Sequence, residues 1–190
     1  MPYNAYTRMS RDDVLAIQAY LGSLEPIRQS RTANTLSFPF NIRSLMTVWN
    51  KLYFAESEYR RDPAKSAEWN RGKFIVDGPA HCGACHTPKT TLGGDRDDQY
   101  LQGANLQGWS APDITNSSRT GLGGWTADDL ALYLRTGHNR LSAATGPMAE
   151  AVELSTSKMS DADRIAITTY LKSLPGKAGD EKKRPASTTT

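Results

Sequence analysis

Several features that would decide a protein's class are absent from this chain of 190 residues. No run reaches the roughly 18 apolar residues that a transmembrane helix needs, and no apolar signal-peptide core follows the first methionine. The formal net charge is only +3 and no segment forms a concentrated basic face, which argues against nucleic-acid binding. The alternation typical of β-strands is also missing, so the pattern indicates a mainly helical chain.

The only two cysteines lie in one short run that also contains a histidine. Cys82-Gly83-Ala84-Cys85-His86 has the Cys-x-x-Cys-His pattern of c-type heme attachment. The spacing suits this chemistry because two thiols add to two vinyl groups on one side of the porphyrin, a distance that a helical turn spans. The pattern predicts one covalent heme c, attached at Cys82 and Cys85, with His86 as the proximal iron ligand.

Two other kinds of site compete for this run. A thioredoxin-like redox pair would need a strand before the motif and a helix after it in a βαβ unit, which the pattern does not support. A zinc site could use His81, Cys82, Cys85 and His86, but such a site normally takes two ligands from a distant segment, and no other cysteine is present. Because neither a redox pair nor a zinc site fits the run well, heme attachment is favoured.

The modest apolar content also fits a covalent heme. Hydrophobic residues make up 38% of the chain, which is little for a self-sufficient core, and a heme would supply a large apolar body for side chains to pack around. Heme is normally attached to this motif outside the cytoplasmic membrane, yet no signal peptide is visible. We therefore expect the chain to be a fragment of a longer exported polypeptide.

A stretch near the start of the chain is repeated near its end. Residues 9–24 match residues 159–174 without a gap. Each copy opens with a serine followed by an aspartate three residues later, a variant of the capping box, and continues with apolar residues at helical spacing. Pro26 and Pro175 follow the two copies, as expected after helices. The repeat predicts that one unit lies within the chain and that residues 1–25 are the tail of an earlier one.

Residues 26–62 are predicted to be a linker with a short amphipathic helix. One face of that helix would hold Leu45, Val48, Trp49 and Leu52. The helix could pack on its own heme domain, or it could form a docking surface for another subunit or the membrane interface. The residues from 176 to 190 have no apolar periodicity and are predicted to be a disordered tail.

Residues 63–175 are predicted to form a small all-α domain wrapped around one covalent heme. A first helix covers about residues 66–77, and Gly72 in its interior is expected to allow a close crossing with Tyr170 of the last helix. A middle helix is capped at Thr126 and ends at Gly137. The long stretch from 87 to 125 is predicted to be a loop on the heme.

The remaining methionines and histidines supply the candidates for the sixth iron ligand. Met148 follows Pro147 in a predicted loop and could reach over the distal face of the heme. Met159 directly precedes a helix N-cap, where a hydrophobic staple residue belongs. Met148 is therefore the predicted ligand, with His138 and Met159 as alternatives.

Further runs of the sequence resemble class I cytochromes c. The likeness is strongest to the C-terminal domain of multiheme cytochrome c subunits of membrane-bound bacterial dehydrogenases for alcohols, sugars and sugar acids. The runs are Trp69 to Gly72, His81 to Pro88, Gly121 to Thr126, Tyr133 to Gly137 and Gly146 to Val152. The resemblance implies the class I cytochrome c fold, and a preceding cytochrome c domain of which residues 1–25 are the C-terminal remnant.

The resemblance also implies a function. Such a domain relays electrons from a dehydrogenase catalytic subunit, through other heme domains of the full-length chain, toward quinone or a terminal oxidase. The expected place is the periplasmic side of the bacterial cytoplasmic membrane, with a peripheral membrane contact. Ligation by His86 and Met148 would close both axial positions and raise the potential, which suits electron transfer and leaves no substrate site. The alternative is a peroxidase-like heme enzyme with an open sixth position, for which His138 is the candidate acid-base residue.

Overall fold

The computed structural model of the protein describes residues 2–33, 35–39, 41–106 and 108–177, and most of its regular structure is helical. The helices are α1 (Tyr3–Tyr6), α2 (Arg11–Ser23), α3 (Leu45–Tyr53), α4 (Ala67–Asp77), α5 (Gly83–His86), α6 (Ala127–Thr136), α7 (Pro147–Leu154) and α8 (Asp161–Ser173). Within the described ranges the strands form one antiparallel hairpin of β1 (Ala104–Leu106) and β2 (Trp109–Ala111). Short 3-10 turns cover Asp97–Gln99, Leu122–Gly124 and Thr156–Lys158.

Serine and threonine caps set the starts of four helices. The side chains of Ser10, Ser66, Thr126 and Ser160 each accept a hydrogen bond from the backbone N–H three residues later. Gly137 ends α6 in the left-handed region, with φ of 78°. The predicted helix over residues 66–77, the middle helix and both repeated helices are confirmed.

The core is built on the crossing of α4 and α8. A Cβ at Gly72 would lie 1.9 Å from the carbonyl oxygen of Ala166 and 2.9 Å from Cβ of Tyr170, so only glycine fits at this contact. The other side of α8 packs on α6, whose Leu130 and Leu134 are buried. The close crossing predicted from Gly72 is confirmed.

Two parts of the domain differ from the sequence prediction. The stretch from 87 to 125 is not a plain loop, because it contains the β-hairpin and two of the 3-10 turns. Met148 lies not in a loop but in the first turn of α7, which begins at Pro147. A proline suits the first position of a helix, since its fixed φ is already helical and its missing N–H would have had no partner.

The residues before α2 pack on the domain that carries the Cys-x-x-Cys-His run. The backbone N–H of Tyr59 donates to the carbonyl oxygen of Arg8 at 3.0 Å. The Tyr6 ring lies edge-on to the His81 ring, with centroids 5.8 Å apart. Helix α2 itself has no buried residue.

Helix α3 packs on the same domain through only one of its faces. Trp49 Nε1 donates to the carbonyl oxygen of Leu92 at 2.9 Å, and the Tyr53 ring lies against the backbone of Gly94. The other residues of the predicted face, Leu45, Val48 and Leu52, are exposed. The predicted helix is confirmed. One of its faces contacts the domain that carries the Cys-x-x-Cys-His run, and Leu45, Val48 and Leu52 form an exposed apolar strip on another face.

Among the described residues no helix is long and apolar enough to cross a membrane. The tail predicted for 176–190 lies, from residue 178 onward, outside the described residues.

Candidate heme site

The Cys-x-x-Cys-His run forms one helical turn, α5, which follows α4 after a short connection. Backbone hydrogen bonds join it to that helix, with the N–H of Cys82 donating to the carbonyl oxygen of Val76 at 3.1 Å. The N–H of His86 donates to the carbonyl oxygen of Cys82 at 2.9 Å, which closes the turn. Cys82 and Cys85 are three residues apart and therefore lie on one face of this turn. Both are free cysteines.

His86 is held in the protonation state that an iron ligand needs. Its Nδ1 lies 2.7 Å from the carbonyl oxygen of Pro112. A carbonyl oxygen can only accept, so Nδ1 carries the proton and Nε2 keeps a free lone pair. His86 is buried, and burial lowers the pKa of its imidazole, which stays neutral at pH 7. A carbonyl partner on the second nitrogen is the usual support of a metal-binding histidine.

The environment of Cys82 argues against a redox pair. Burial, together with the smaller effect of the Asp77 charge, raises the pKa of the Cys82 thiol to about 12. A reactive cysteine needs the opposite, a lowered pKa that yields thiolate. The sulfur of a thioether link to heme would carry no ionisable proton, so its burial would not oppose the formation of a charge.

The zinc alternative also finds no support within the described ranges, where no group of three or more His, Cys, Asp and Glu side chains could hold a metal ion. Two cysteines on one face of a helical turn and a neutral, oriented imidazole fit a covalent heme.

The segment that follows the run is tied back to it by backbone hydrogen bonds. Gly103 N–H donates to the His86 carbonyl at 2.8 Å, and Leu101 N–H donates to Thr87 Oγ1 at 3.1 Å. Leu101 is fully buried. Gly103 has φ of 84°, and a Cβ there would lie 2.8 Å from the Asp113 nitrogen. These contacts bring Pro112 to His86.

Asp113 fixes the backbone next to Pro112. Its carboxylate accepts hydrogen bonds from Thr115 N–H at 2.8 Å, Thr115 Oγ1 at 2.7 Å and Thr120 Oγ1 at 2.8 Å. The carboxylate is almost fully buried, and these donors supply the partners that burial requires. Neither Pro112 nor Asp113 is among the residues predicted from the sequence, although the Asp-x-Thr pattern is typical of a local side-chain turn.

A second buried carboxylate, that of Asp77, lies near Cys82. The helical turn that holds Cys82, Cys85 and His86 is called here the attachment turn. Asp77 accepts hydrogen bonds from the hydroxyls of Tyr100 and Tyr170 and pairs with Lys73 Nζ at 2.5 Å. Burial raises the pKa of both tyrosines, which keeps them neutral donors. The Tyr100 ring also packs on Gly83 of the run. Sequence analysis did not anticipate this cluster, because its members come from α4, α8 and the segment between them.

The candidates for the sixth ligand have different surroundings. Met148 is half-buried and lies in the first turn of α7. The Trp109 ring packs on the backbone of Gly146, two residues before it. Met159 packs against the hydrophobic core, and its carbonyl oxygen accepts a hydrogen bond from Arg164. His138 is exposed, with Nδ1 3.2 Å from the carbonyl oxygen of Thr136.

Comparison with known proteins agrees with this site. The chain is 42% identical over 180 residues to the fructose dehydrogenase cytochrome subunit of Gluconobacter japonicus, which covers 94% of this chain and 37% of that protein. It is 36% identical over 187 residues to the cytochrome c subunit of alcohol dehydrogenase (quinone) of Gluconobacter oxydans, covering 92% and 38%. It is also 35% identical over 189 residues to a diheme cytochrome c-type protein of Cereibacter sphaeroides, covering 92% and 58%.

The chain therefore spans between about a third and three fifths of the length of these relatives. Residues 69–175, more than half of the chain, match the sequence profile described as Cytochrome c. That match and the helical architecture confirm the predicted class I cytochrome c fold, for which covalent heme c is the implied cofactor. The chain belongs to the cytochrome c family.

Proposed function

We propose that this chain holds one covalent heme c and serves as an electron-transfer subunit or domain with no substrate site of its own. Cys82 and Cys85 would provide the thioether links, and His86 and Met148 the axial ligands. Ligation by a histidine and a methionine would leave no open position for a substrate and would raise the reduction potential of the heme, which suits electron transfer. The observation that carries the proposal is the 2.7 Å contact of His86 Nδ1 with the Pro112 carbonyl, which leaves Nε2 free to bind iron.

The assignment of Met148 rests on the contrast with Met159. Met159 is half-buried and packs against the core cluster, directly before the N-cap of α8. Met148 is half-buried in the first turn of α7. The bulky Trp109 ring stacked on Gly146 restrains the backbone just before it. A ligand needs this combination of a restrained backbone and an available side chain.

The names of the related proteins support the proposed partners. Cytochrome subunits of fructose and alcohol dehydrogenases match this chain. We propose a dehydrogenase catalytic subunit as electron donor, other heme domains of a longer polypeptide as intermediate carriers, and quinone or an oxidase as acceptor. The same relatives support a location on the periplasmic side of the bacterial cytoplasmic membrane.

The proposal also divides the chain into four segments. We propose a preceding-domain remnant at 1–25, a linker at 26–62, the cytochrome c domain at 63–175 and a tail at 176–190. The family match over 69–175 supports the central unit. The exposed strip of Leu45, Val48 and Leu52 on α3 supports a docking role for the linker, at a partner subunit or at the membrane surface.

The optical spectrum tests the function directly. The chain is produced with export and heme-attachment machinery and its oxidised and reduced spectra are recorded, together with heme content after denaturation. We expect one covalent heme per chain and a low-spin spectrum in both redox states. A five-coordinate high-spin spectrum would instead support the peroxidase-like alternative.

A further inference from the structure

Asp77 is a buried acid close to one of the two cysteines of the attachment turn. Its side chain is only 4% exposed. It is the last residue of α4, and the chain folds back onto this end of the helix, because the N–H of Cys82 donates to the carbonyl oxygen of Val76 at 3.1 Å. The charge of Asp77 also contributes to the raised pKa of the Cys82 thiol. The carboxylate is therefore near enough to act on the attachment turn through the protein interior.

Three side chains surround this carboxylate with partners for a negative charge. The hydroxyl of Tyr100 donates a hydrogen bond to it, and the hydroxyl of Tyr170 donates a second one at 3.5 Å. Lys73 Nζ forms an ion pair with it at 2.5 Å. These four residues are called here the Asp77 cluster. Hydrogen-bond donors and a cation favour the charged form of a carboxyl group, so the cluster holds a buried negative charge.

Tyr100 fixes the cluster to the attachment turn. Its ring packs on Gly83, where a Cβ would lie 3.5 Å from Cε2 of the ring. The next residue, Leu101, is fully buried, and its N–H donates to Thr87 Oγ1 at 3.1 Å. The carboxylate is thus held relative to the turn on two sides, by the end of α4 and by Tyr100. A buried charge in a fixed position acts with constant strength, whereas an exposed charge is screened by salt.

The two opposite charges of the cluster do not act equally on the attachment turn. Lys73 precedes Asp77 by four residues, so its backbone lies one helical turn farther from Cys82. The Lys73 side chain is 32% exposed, in contrast to the buried carboxylate. Water and salt therefore screen the ammonium more strongly than the carboxylate. The net effect of the pair at the turn is that of a negative charge.

Stability alone does not account for a charge at this position. Replacement of a complete buried ion pair by apolar residues of similar volume is often neutral or even stabilising. The surroundings would suit apolar residues, since Ile75, Val76 and Leu101 are 3%, 0% and 0% exposed. A charge kept among such neighbours, beside the attachment turn, indicates an electrostatic role.

We propose that Asp77 lowers the reduction potential of the heme and holds it below the value that the axial ligands alone would give. Oxidation removes one electron from the iron and leaves one more positive charge, which a fixed negative charge nearby favours. Lys73 would act in the opposite sense, and Tyr100 and Tyr170 would keep the carboxylate in place. This inference rests on the proposed function, because it requires a heme at the attachment turn.

Potentiometry of the full heme-loaded chain tests this role. Asp77→Asn keeps the size of the side chain and removes its charge. We expect the variant to favour the ferrous state about tenfold more than the unchanged chain does, which raises the midpoint potential by about 59 mV for a one-electron couple. The shift should persist in about 1 M salt, because buried charges are screened much less than exposed ones.

Two further variants serve as matched controls. Lys73→Gln removes the positive member of the pair and should lower the potential, by less than Asp77→Asn raises it, because the ammonium is partly exposed. Asp98→Asn removes a carboxylate whose side chain is 66% exposed, and in about 1 M salt it should leave the potential unchanged. If Asp77 and Lys73 only supported packing, both substitutions would loosen the same region and shift the potential in the same direction.

The proposal is overturned by an unchanged or lowered potential in Asp77→Asn, or by an unchanged or raised potential in Lys73→Gln. Should Asp77→Asn fail to yield heme protein, the direction of the shift in Lys73→Gln decides. The optical spectrum of the same samples separates this inference from the proposed function. An unchanged chain without a low-spin spectrum contradicts the proposed ligation. A low-spin chain whose two variants do not shift the potential in opposite directions contradicts only the role of Asp77.

Discussion

At the residue scale, the sequence predicts Cys82, Cys85 and His86 as the heme-binding residues, and this assignment stays a prediction; the groups that support these residues were not predicted. The Cys-x-x-Cys-His run is local in sequence, so its chemistry can be recognised without a structure. Pro112 lies 26 residues beyond His86, and a backbone carbonyl leaves no trace in residue type. Its role becomes visible only when Gly103 and Leu101 are seen to fold the chain back onto the turn.

Met148 and Met159 can be distinguished by substitution. We expect Met148→Ala to lower the reduction potential and disturb the low-spin spectrum, because it removes the proposed thioether ligand. Met159→Leu should leave both unchanged and cost less than about 1.5 kcal/mol, since leucine conserves the volume that packs on the core. Potentiometry and optical spectra of the two variants give the answer. Loss of the low-spin state in Met159→Leu would show that the ligand assignment is wrong.

The Asp77 cluster should contribute measurably to stability. Asp77→Asn removes the charge that Tyr100, Tyr170 and Lys73 share, and we expect a loss of about 1–3 kcal/mol in the free energy of unfolding. Asp98→Asn is a suitable control, because its pairing with Arg96, at 3.5 Å, lies on the exposed surface and should change stability by less than about 0.5 kcal/mol. Equal effects in denaturant titrations would contradict a special role for the buried carboxylate.

At the scale of elements, helices with a side-chain cap were predictable, whereas a helix without one was predictable only where its apolar residues follow a helical period, as in α3. A Ser or Thr cap directly precedes each of α2, α4, α6 and α8, and the sequence predicts the first residue of each helix to within about one position. Helix α7 begins after Gly146, which offers no side-chain cap, so the sequence predicts a loop there in spite of Pro147. The β1–β2 hairpin was missed because strands of three residues are too short to show a periodicity.

The α4–α8 crossing should be intolerant of any side chain at Gly72. We expect Gly72→Ala to lower the free energy of unfolding by about 3 kcal/mol, because the added methyl would overlap the Ala166 backbone. Gly22→Ala in α2 is the matched control. It meets nothing within 4 Å and should stabilise its helix by about 0.5–1 kcal/mol. Similar thermal unfolding curves for both variants would refute the steric argument.

The ion pair that joins α4 and α8 should make part of the stability depend on pH. The hydrogen bond from Arg71 holds the pKa of Asp163 below its ordinary value. A carboxyl whose pKa is lowered by folding stabilises the fold above its unfolded-state pKa, and this contribution is lost as pH falls through the folded-state value. Because the Arg71 side chain is 51% exposed, we expect at most about 1 kcal/mol.

Comparison with Asp163→Asn measures this contribution. The variant should be less stable than the unchanged chain at about pH 7 and equally stable at about pH 2. A difference in the free energy of unfolding that does not vary with pH would mean that the charge of Asp163 is not responsible.

On the scale of the whole molecule, the proposed heme forms part of the core. With hydrophobic residues at only 38% of the chain, we expect Cys82→Ala combined with Cys85→Ala to abolish covalent heme and to leave little cooperative unfolding. Heme staining after denaturation and thermal unfolding by circular dichroism measure the two effects. Each single variant keeps one thiol and should retain some bound heme and some cooperativity. A stably folded double variant would show that the polypeptide alone suffices.

The contact between α3 and the heme domain has a consequence for electron tunnelling, whose rate falls steeply with distance. Trp49 and Tyr53 fix α3 to the segment that contains Leu92 and Gly94, while the apolar strip of α3 faces outward. A partner seated on that strip would be positioned by a short rigid helix instead of a flexible tether. The separation between partner and attachment turn would then be nearly constant, so the tunnelling rate would have one value instead of an average over many distances.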